Sequence, residues 1–153
     1  MSATQRLTEL EIAWPAVAAP VGSYVPAVRM GDLVYTSGQL PLVDGVLQWS
    51  GTVGSDVTLE QAQAAARICG LNALAAASGT AGGVDDIVRI VKMTVFVASA
   101  PGFTQQPEVA NGASDLFTEI FGDDGKHARS AVGVAALPLG APVEVEIIAQ
   151  VAA

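Results

Sequence analysis

The stretch TLEQAQAAARICGLNALAAASGTAGG, residues 58–83, runs directly into VDDIVRIVKMTVFV, residues 84–97, and the change of period between them decides the fold. Thr58 stands where a helix N-cap is wanted, with Gln61 three residues on, so the two can satisfy each other's backbone N–H groups as a capping box. Ala62, Ala66, Cys69, Ala73 and Ala76 then recur at spacings of three and four, giving a thin apolar face that can lie close against a sheet. The helix is expected to run through Ala77 and to end at Gly79 and Gly82-Gly83, where a left-handed residue can close it. From Ile87 the chain turns β-branched and aromatic, and alternation puts Val91, Met93, Val95 and Val97 on one face of a central strand. A thin-faced helix beside a long apolar strand is a unit of a layered α/β core.

Towards the amino terminus, Leu33-Val34-Tyr35-Thr36 follows Val28 across a Met30-Gly31-Asp32 turn, as a hairpin does. Ser37-Gly38-Gln39 interrupts the strand pattern, which marks a bulge or a close backbone approach. Asp44-Gly45 before Val46-Leu47 is a tight-turn signal. The segment before Pro26 is broken by Pro15 and Pro20 and reads as a wrapping arm, with residues 1–21 assigned to it and the domain proper to 22–153. Towards the carboxyl terminus, Val109, Ala113, Leu116, Phe117, Ile120 and Phe121 carry the helical period over Glu108–Phe121, which Gly122-Asp123-Asp124-Gly125 ends. Two strands follow, Arg129–Val134 and Val143–Val151. The expectation is a single α/β (α+β) domain ordered β-β-β-α-β-α-β-β.

Composition narrows the function classes. The chain has 153 residues and a formal charge of −8, with only seven Lys plus Arg. A nucleic-acid backbone would meet net repulsion, so no nucleic-acid partner is expected. No apolar run approaches the roughly 18–20 residues a bilayer span needs, and the first residues do not resemble a secretory signal, so a cytoplasmic location without membrane contact is expected. Cys69 is the single cysteine; it has no disulfide partner and no second thiol for a metal, and is expected in the core. The low charged fraction points to surface buried against other subunits. Phosphate-loop, dinucleotide, zinc and nucleophile-elbow patterns are all missing, so neither cofactor nor metal is expected. The only histidine, His127, lies between Lys126 and Arg129 and reads as a turn or surface residue.

Arg129 opens an otherwise uncharged stretch, Ala131 to Pro142, that is expected to enter the interior. An arginine there must find an anion. Spacing alone favours a structural ion pair with Glu144 or Glu146 over a ligand.

Several motifs in order change that weighting. Gly22-Ser23-Tyr24-Val25-Pro26-Ala27-Val28, Thr36-Ser37-Gly38-Gln39-Leu40-Pro41, Val95-Phe96-Val97, Asn111, Ala128-Arg129-Ser130-Ala131-Val132-Gly133-Val134, Leu137-Pro138 and Val143-Glu144-Val145-Glu146 together resemble the reactive-intermediate deaminase superfamily, also called the YjgF-like or L-PSP endoribonuclease-like proteins. The resemblance covers about Val21 to Val151. It implies a chorismate-mutase-like fold, a mixed sheet packed by two helices, assembled as a homotrimer with ligand clefts at the subunit boundaries. It also implies that Arg129 holds the carboxylate of a small metabolite, that Glu144 orients or activates water, that Tyr24, Ser37 and Gly38 line the cleft, and that Asn111 lies beside it. Many active deaminases carry a cysteine two residues after the arginine. Here that position is Ala131, which leaves only its backbone for a ligand.

The implied activity is hydrolytic deamination of small enamine or imine acids without metal or cofactor. A non-catalytic trimer binding small carboxylates is the alternative, and RNA cleavage a third reading that the acidic balance and the lack of a histidine pair oppose. For each residue a plainer role stays open: Glu144 as a structural partner of Arg129, Tyr24 as a core residue, Asn111 on the exposed side of its helix, and Ser37-Gly38 as a bulge.

Overall fold

The helix over the opening stretch forms because both of its ends are chemically closed. In the computed structural model, which describes residues 1–153, Thr58 Oγ1 accepts from the Gln61 backbone N–H at 3.1 Å and Gln61 Oε1 accepts from the Thr58 N–H at 3.0 Å. The helix continues past Gly79 to Ala81 and ends at Gly82, whose φ of 110° only glycine adopts freely. Of the glycines expected to end it, Gly82 does and Gly79 does not: a glycine inside a helix costs about 1 kcal/mol and does not by itself stop it.

In chain order the elements are α1 (Ala3–Glu9), β1 (Ala27–Met30), β2 (Leu33–Thr36), β3 (Leu42–Val43), β4 (Val46–Leu47), α2 (Leu59–Ala81), β5 (Ile87–Ala98), α3 (Gln106–Phe121), β6 (Ala128–Val134) and β7 (Val143–Val151). Five strands form one mixed sheet in the order β1-β2-β7-β5-β6, in which β5 and β6 run parallel and the other neighbours antiparallel. β3 and β4 make a separate hairpin, turned by Asp44 and Gly45 at φ 50° and 78°. The architecture is the mixed-sheet, two-helix domain expected from the sequence.

Both long helices lie on one face of the sheet, α2 over β7, β1 and β2, and α3 over β5 and β6. Ala62, Ala66, Cys69 and Ala73 of α2 are fully buried there, as are Met93, Val95, Val143, Val145 and Ala149 of the central strands. No helix covers the other face, which leaves Val28 (55% exposed), Tyr35 (44%) and Val132 (44%) in contact with solvent. None of the helices is long and apolar enough to cross a membrane.

Three expectations need correction. On β5 it is Ile90, not Val91, that joins Met93, Val95 and Val97 in the core, because register shifts between Ile87/Arg89 and Ile90/Lys92 break strict alternation. The stretch from Ala131 to Pro142 does not run into the interior: β6 is the edge strand, paired on one side only, and Val132, Gly133, Ala135, Ala136 and Leu139 are exposed. The arm opens with a helix that proline punctuation obscured. Ser2 and Gln5 cap α1 reciprocally, Leu7 joins the core, and Arg6 Nε donates to the Glu119 carbonyl at 2.7 Å.

Candidate functional site

Strand register decides which side chains can meet. Arg129 stands opposite Met93 and Ala131 opposite Val95, so both belong to the helix-covered face. Glu144 stands opposite Phe96 and Glu146 opposite Thr94, one step out of phase with the buried Val95 and Met93, so both belong to the uncovered face. The ion pair that spacing favoured therefore does not form; the sheet lies between Arg129 and the two glutamates.

On the covered face, Asn111 and Ser114 sit three residues apart on α3 and turn the same side towards β6. Arg129 Nη1 donates to Asn111 Oδ1 at 2.7 Å and to Ser114 Oγ at 3.2 Å. Both protons of Nη1 are thereby used, and neither Nε nor Nη2 has a partner within the chain. Asn111 is exposed as a residue, yet its carboxamide is what orients the guanidinium. Ser114 escaped the sequence reading; its position one helical turn after Asn111 was the available signal. Ala131 packs its methyl group against the core.

His127 belongs to the same cluster and is no surface residue. It is half-buried, with Nδ1 2.6 Å from the Gly125 carbonyl, Nε2 3.0 Å from Ser114 Oγ, and its ring edge-on to Phe117 at 5.5 Å between centroids. Burial pushes its pKa down; the Gly125 contact opposes this and the charge of Arg129 adds to it.

On the uncovered face, half-buried Glu144 crosses Gly38 so closely that a methyl group at position 38 would collide with its carboxylate. The interruption at Ser37-Gly38-Gln39 is thus a close approach, held by a bridge between Gln39 and Val145. Burial raises the pKa of the Glu144 carboxyl, and Glu146 two residues along raises it further. Ser37 Oγ donates to the Val25 carbonyl at 2.7 Å and so holds down the segment bearing Tyr24. Tyr24 is 46% exposed, which rules out a core role, and its hydroxyl accepts from the Val21 N–H at 3.2 Å. Tyr24, Gly38 and Leu40 line a small pocket roofed by Ala18 to Val21 of the arm.

The candidate residues therefore fall into two groups on opposite sides of the sheet. Arg129, Asn111, Ser114 and His127 form a cationic half at the sheet edge; Glu144, Gly38, Ser37 and Tyr24 gather on the uncovered side. A larger groove lined by Arg6, Asp85, Glu119 and Asp124 shares no residue with either half.

The family model described as "YjgF/chorismate_mutase-like, putative endoribonuclease" matches residues 4–151. The chain is 46% identical over 145 residues to Protein TCP17 of Trypanosoma cruzi, covering 94% of this chain and 91% of that protein. It is 31% identical over 137 residues to the 2-iminobutanoate/2-iminopropanoate deaminase of Dermatophagoides farinae, covering 90% and 92%. Among solved structures it resembles E. coli TdcF with bound serine, with a TM-score of 0.66 and 29% identity over 92% of this chain and 96% of that one.

Proposed function

The chain belongs to the YjgF-like family, and from that premise we propose that it hydrolyses small enamine or imine acids to keto acids and ammonia, in a cleft completed by a neighbouring copy. The carrying observation is the state of Arg129. With Nη1 tied to α3, its Nε and Nη2 edge stays open as a planar fork that matches a carboxylate bidentately. The serine bound by TdcF carries such a carboxylate, and the mite relative is named for imino acids of this size.

The chemistry needs nothing beyond acid–base groups. Protonation of an enamine at carbon gives the imine, water adds across the C=N bond, and the carbinolamine loses ammonia to leave a keto acid. Glu144 serves the water and proton steps: burial and the neighbouring Glu146 raise its pKa, which makes its carboxylate a stronger proton acceptor than an exposed glutamate. A charge-assisted contact contributes about 1.5–3 kcal/mol, whereas millimolar binding needs about 4 kcal/mol, so Tyr24 and the backbone around Gly38 and Ala131 supply the remainder. Since Arg129 and Glu144 flank opposite faces of one sheet, the arginine half of one copy meets the glutamate half of the next. A homotrimer closing through the uncovered face provides three such junctions.

The test is release of ammonia and pyruvate from 2-aminoacrylate generated in situ. The protein accelerates it over buffer, and Arg129→Ala lowers kcat/KM by roughly 10–150-fold, the equivalent of one charge-assisted contact. Glu144→Gln abolishes turnover and leaves keto-acid binding within a few-fold of the wild type. No acceleration over buffer would discard the proposal.

A further inference from the structure

The cluster on the covered face contains more than an arginine and its ligand edge. A carbonyl oxygen can only accept, so the 2.6 Å contact between His127 Nδ1 and the Gly125 carbonyl puts a proton on Nδ1. The neutral ring then has a bare Nε2, and the donor in reach is the Ser114 hydroxyl at 3.0 Å. Once that hydroxyl proton points at His127, the lone pairs of Ser114 Oγ are turned elsewhere, and one receives Arg129 Nη1 at 3.2 Å. The direction of every bond follows from the first: His127 donates to Gly125, Ser114 donates to His127, Arg129 donates to Ser114.

The geometry points to His127 as a positioning residue for Arg129: its neutral Nδ1–H form orders the Ser114 hydroxyl, which with Asn111 locks Nη1 and keeps the Nε/Nη2 fork turned outward to an incoming carboxylate. This deepens the proposed function and rests on its reading of Arg129 as the carboxylate anchor. Without the His127 acceptor the Ser114 hydroxyl is free to rotate its proton towards Arg129, losing the bond and leaving Nη1 held by Asn111 alone. The ring is half-buried where α3 turns Ser114 and Phe117 towards it, and that burial favours its neutral form. Arg129 is the charged group that bears on it. Lys126, its chain neighbour, is engaged by Asp123 at 2.7 Å, and Arg89 of β5 reaches the Lys126 carbonyl at 3.4 Å.

His127 is the only histidine in the chain, so its imidazole nitrogens can be read by NMR without assignment by mutation. Two substitutions separate positioning from packing, because both remove the ring from Phe117. Gln at 127 can present an acceptor near the Nε2 position, whereas Asn reaches only the Nδ1 position. With 2-oxobutanoate as probe, His127→Gln is expected to bind within about 2-fold of wild type, while His127→Asn and Ser114→Ala bind roughly 5–10-fold more weakly, as for one neutral hydrogen bond. The double variant His127→Asn/Ser114→Ala is expected to bind no more weakly than either single change, as members of one relay do. The free protein should show the Nδ1–H tautomer, and 2-oxobutanoate should raise the His127 pKa by offsetting the charge of Arg129.

An Nε2–H tautomer, equal loss in the Gln and Asn variants, or multiplicative loss in the double variant would each overturn the inference. If 2-oxobutanoate does not bind the wild type at all, the carboxylate-anchor reading fails instead. The relay is then decided by the tautomer and by Ser114→Ala, which must raise the His127 pKa by removing the donor that favours the neutral ring; no rise sinks it.

Discussion

Glu144 holds its charge at a cost, because its carboxylate is half-buried beside Glu146 and both effects favour the neutral acid. A carboxyl whose folded pKa exceeds its unfolded value destabilises the fold once deprotonated, so its contribution is best below the ordinary glutamate value of about 4.3 and is lost as pH rises through the folded pKa. Glu144→Gln is therefore expected to raise Tm at pH 7 and to leave it unchanged at about pH 3, a difference thermal melts at the two pH values will reveal. A Tm gain of the same size at both would mean that the charge is not what is being relieved. At this scale the motifs single out Arg129, Glu144 and Asn111 as candidates, and the structure brings Arg129 and Asn111 into contact while leaving Glu144 on the other face. The sequence reading missed Ser114 and misread His127, since no pattern tells that a helical serine and a turn histidine converge on one guanidinium.

Packing between α2 and α3 sets where the cationic half stands, and two glycines make its tolerance measurable. A methyl group on Gly112 would collide with the Gln63 carbonyl of α2, and the Gln63 side chain donates through Nε2 to the Glu108 carbonyl at 2.9 Å, so the helices approach closely and are tied side chain to backbone beside Asn111. Gly79, by contrast, faces Val17 Cγ2 at an ordinary 3.5 Å. Gly112→Ala is expected to destabilise by about 3 kcal/mol through overpacking. Gly79→Ala should stabilise by about 0.5–1 kcal/mol, because alanine loses less backbone entropy in a helix. Denaturant melts of the two variants, moving in opposite directions, test this. The sequence made both helices legible through their periods and the Thr58 cap, but the close approach at Gly112 depends on which helix lies across it.

For the whole molecule, the sheet separates Arg129 from Glu144, and the proposed function therefore carries a test of assembly. If each cleft takes its arginine half from one copy and its glutamate half from the next, Arg129→Ala alone keeps only its residual activity and Glu144→Gln alone has none. Unfolded together in equal amounts and refolded, they should recover about a quarter of wild-type activity, because each half is intact in half of the junctions. An assay of the mixed preparation decides it: no recovery from a properly assembled mixture means that both residues serve within one chain. The uncovered face carrying Val28, Tyr35 and Val132 is the surface available for such a contact.

The family, the two long helices and the strands that frame them were legible in the sequence, because caps, periods and ordered motifs are local properties. Spacing favours Glu144 or Glu146 as the partner of Arg129, and register separates them: in a strand each step of one residue reverses the face, so only the pairing of β5 with β6 and β7 decides which side each charge meets. The same pairing left Nη1 of Arg129 to α3 and its outer edge free. Tertiary structure thus decided what the arginine touches, since Asn111 and Ser114, with His127 behind them, converge on it only when helix, turn and edge strand are packed together.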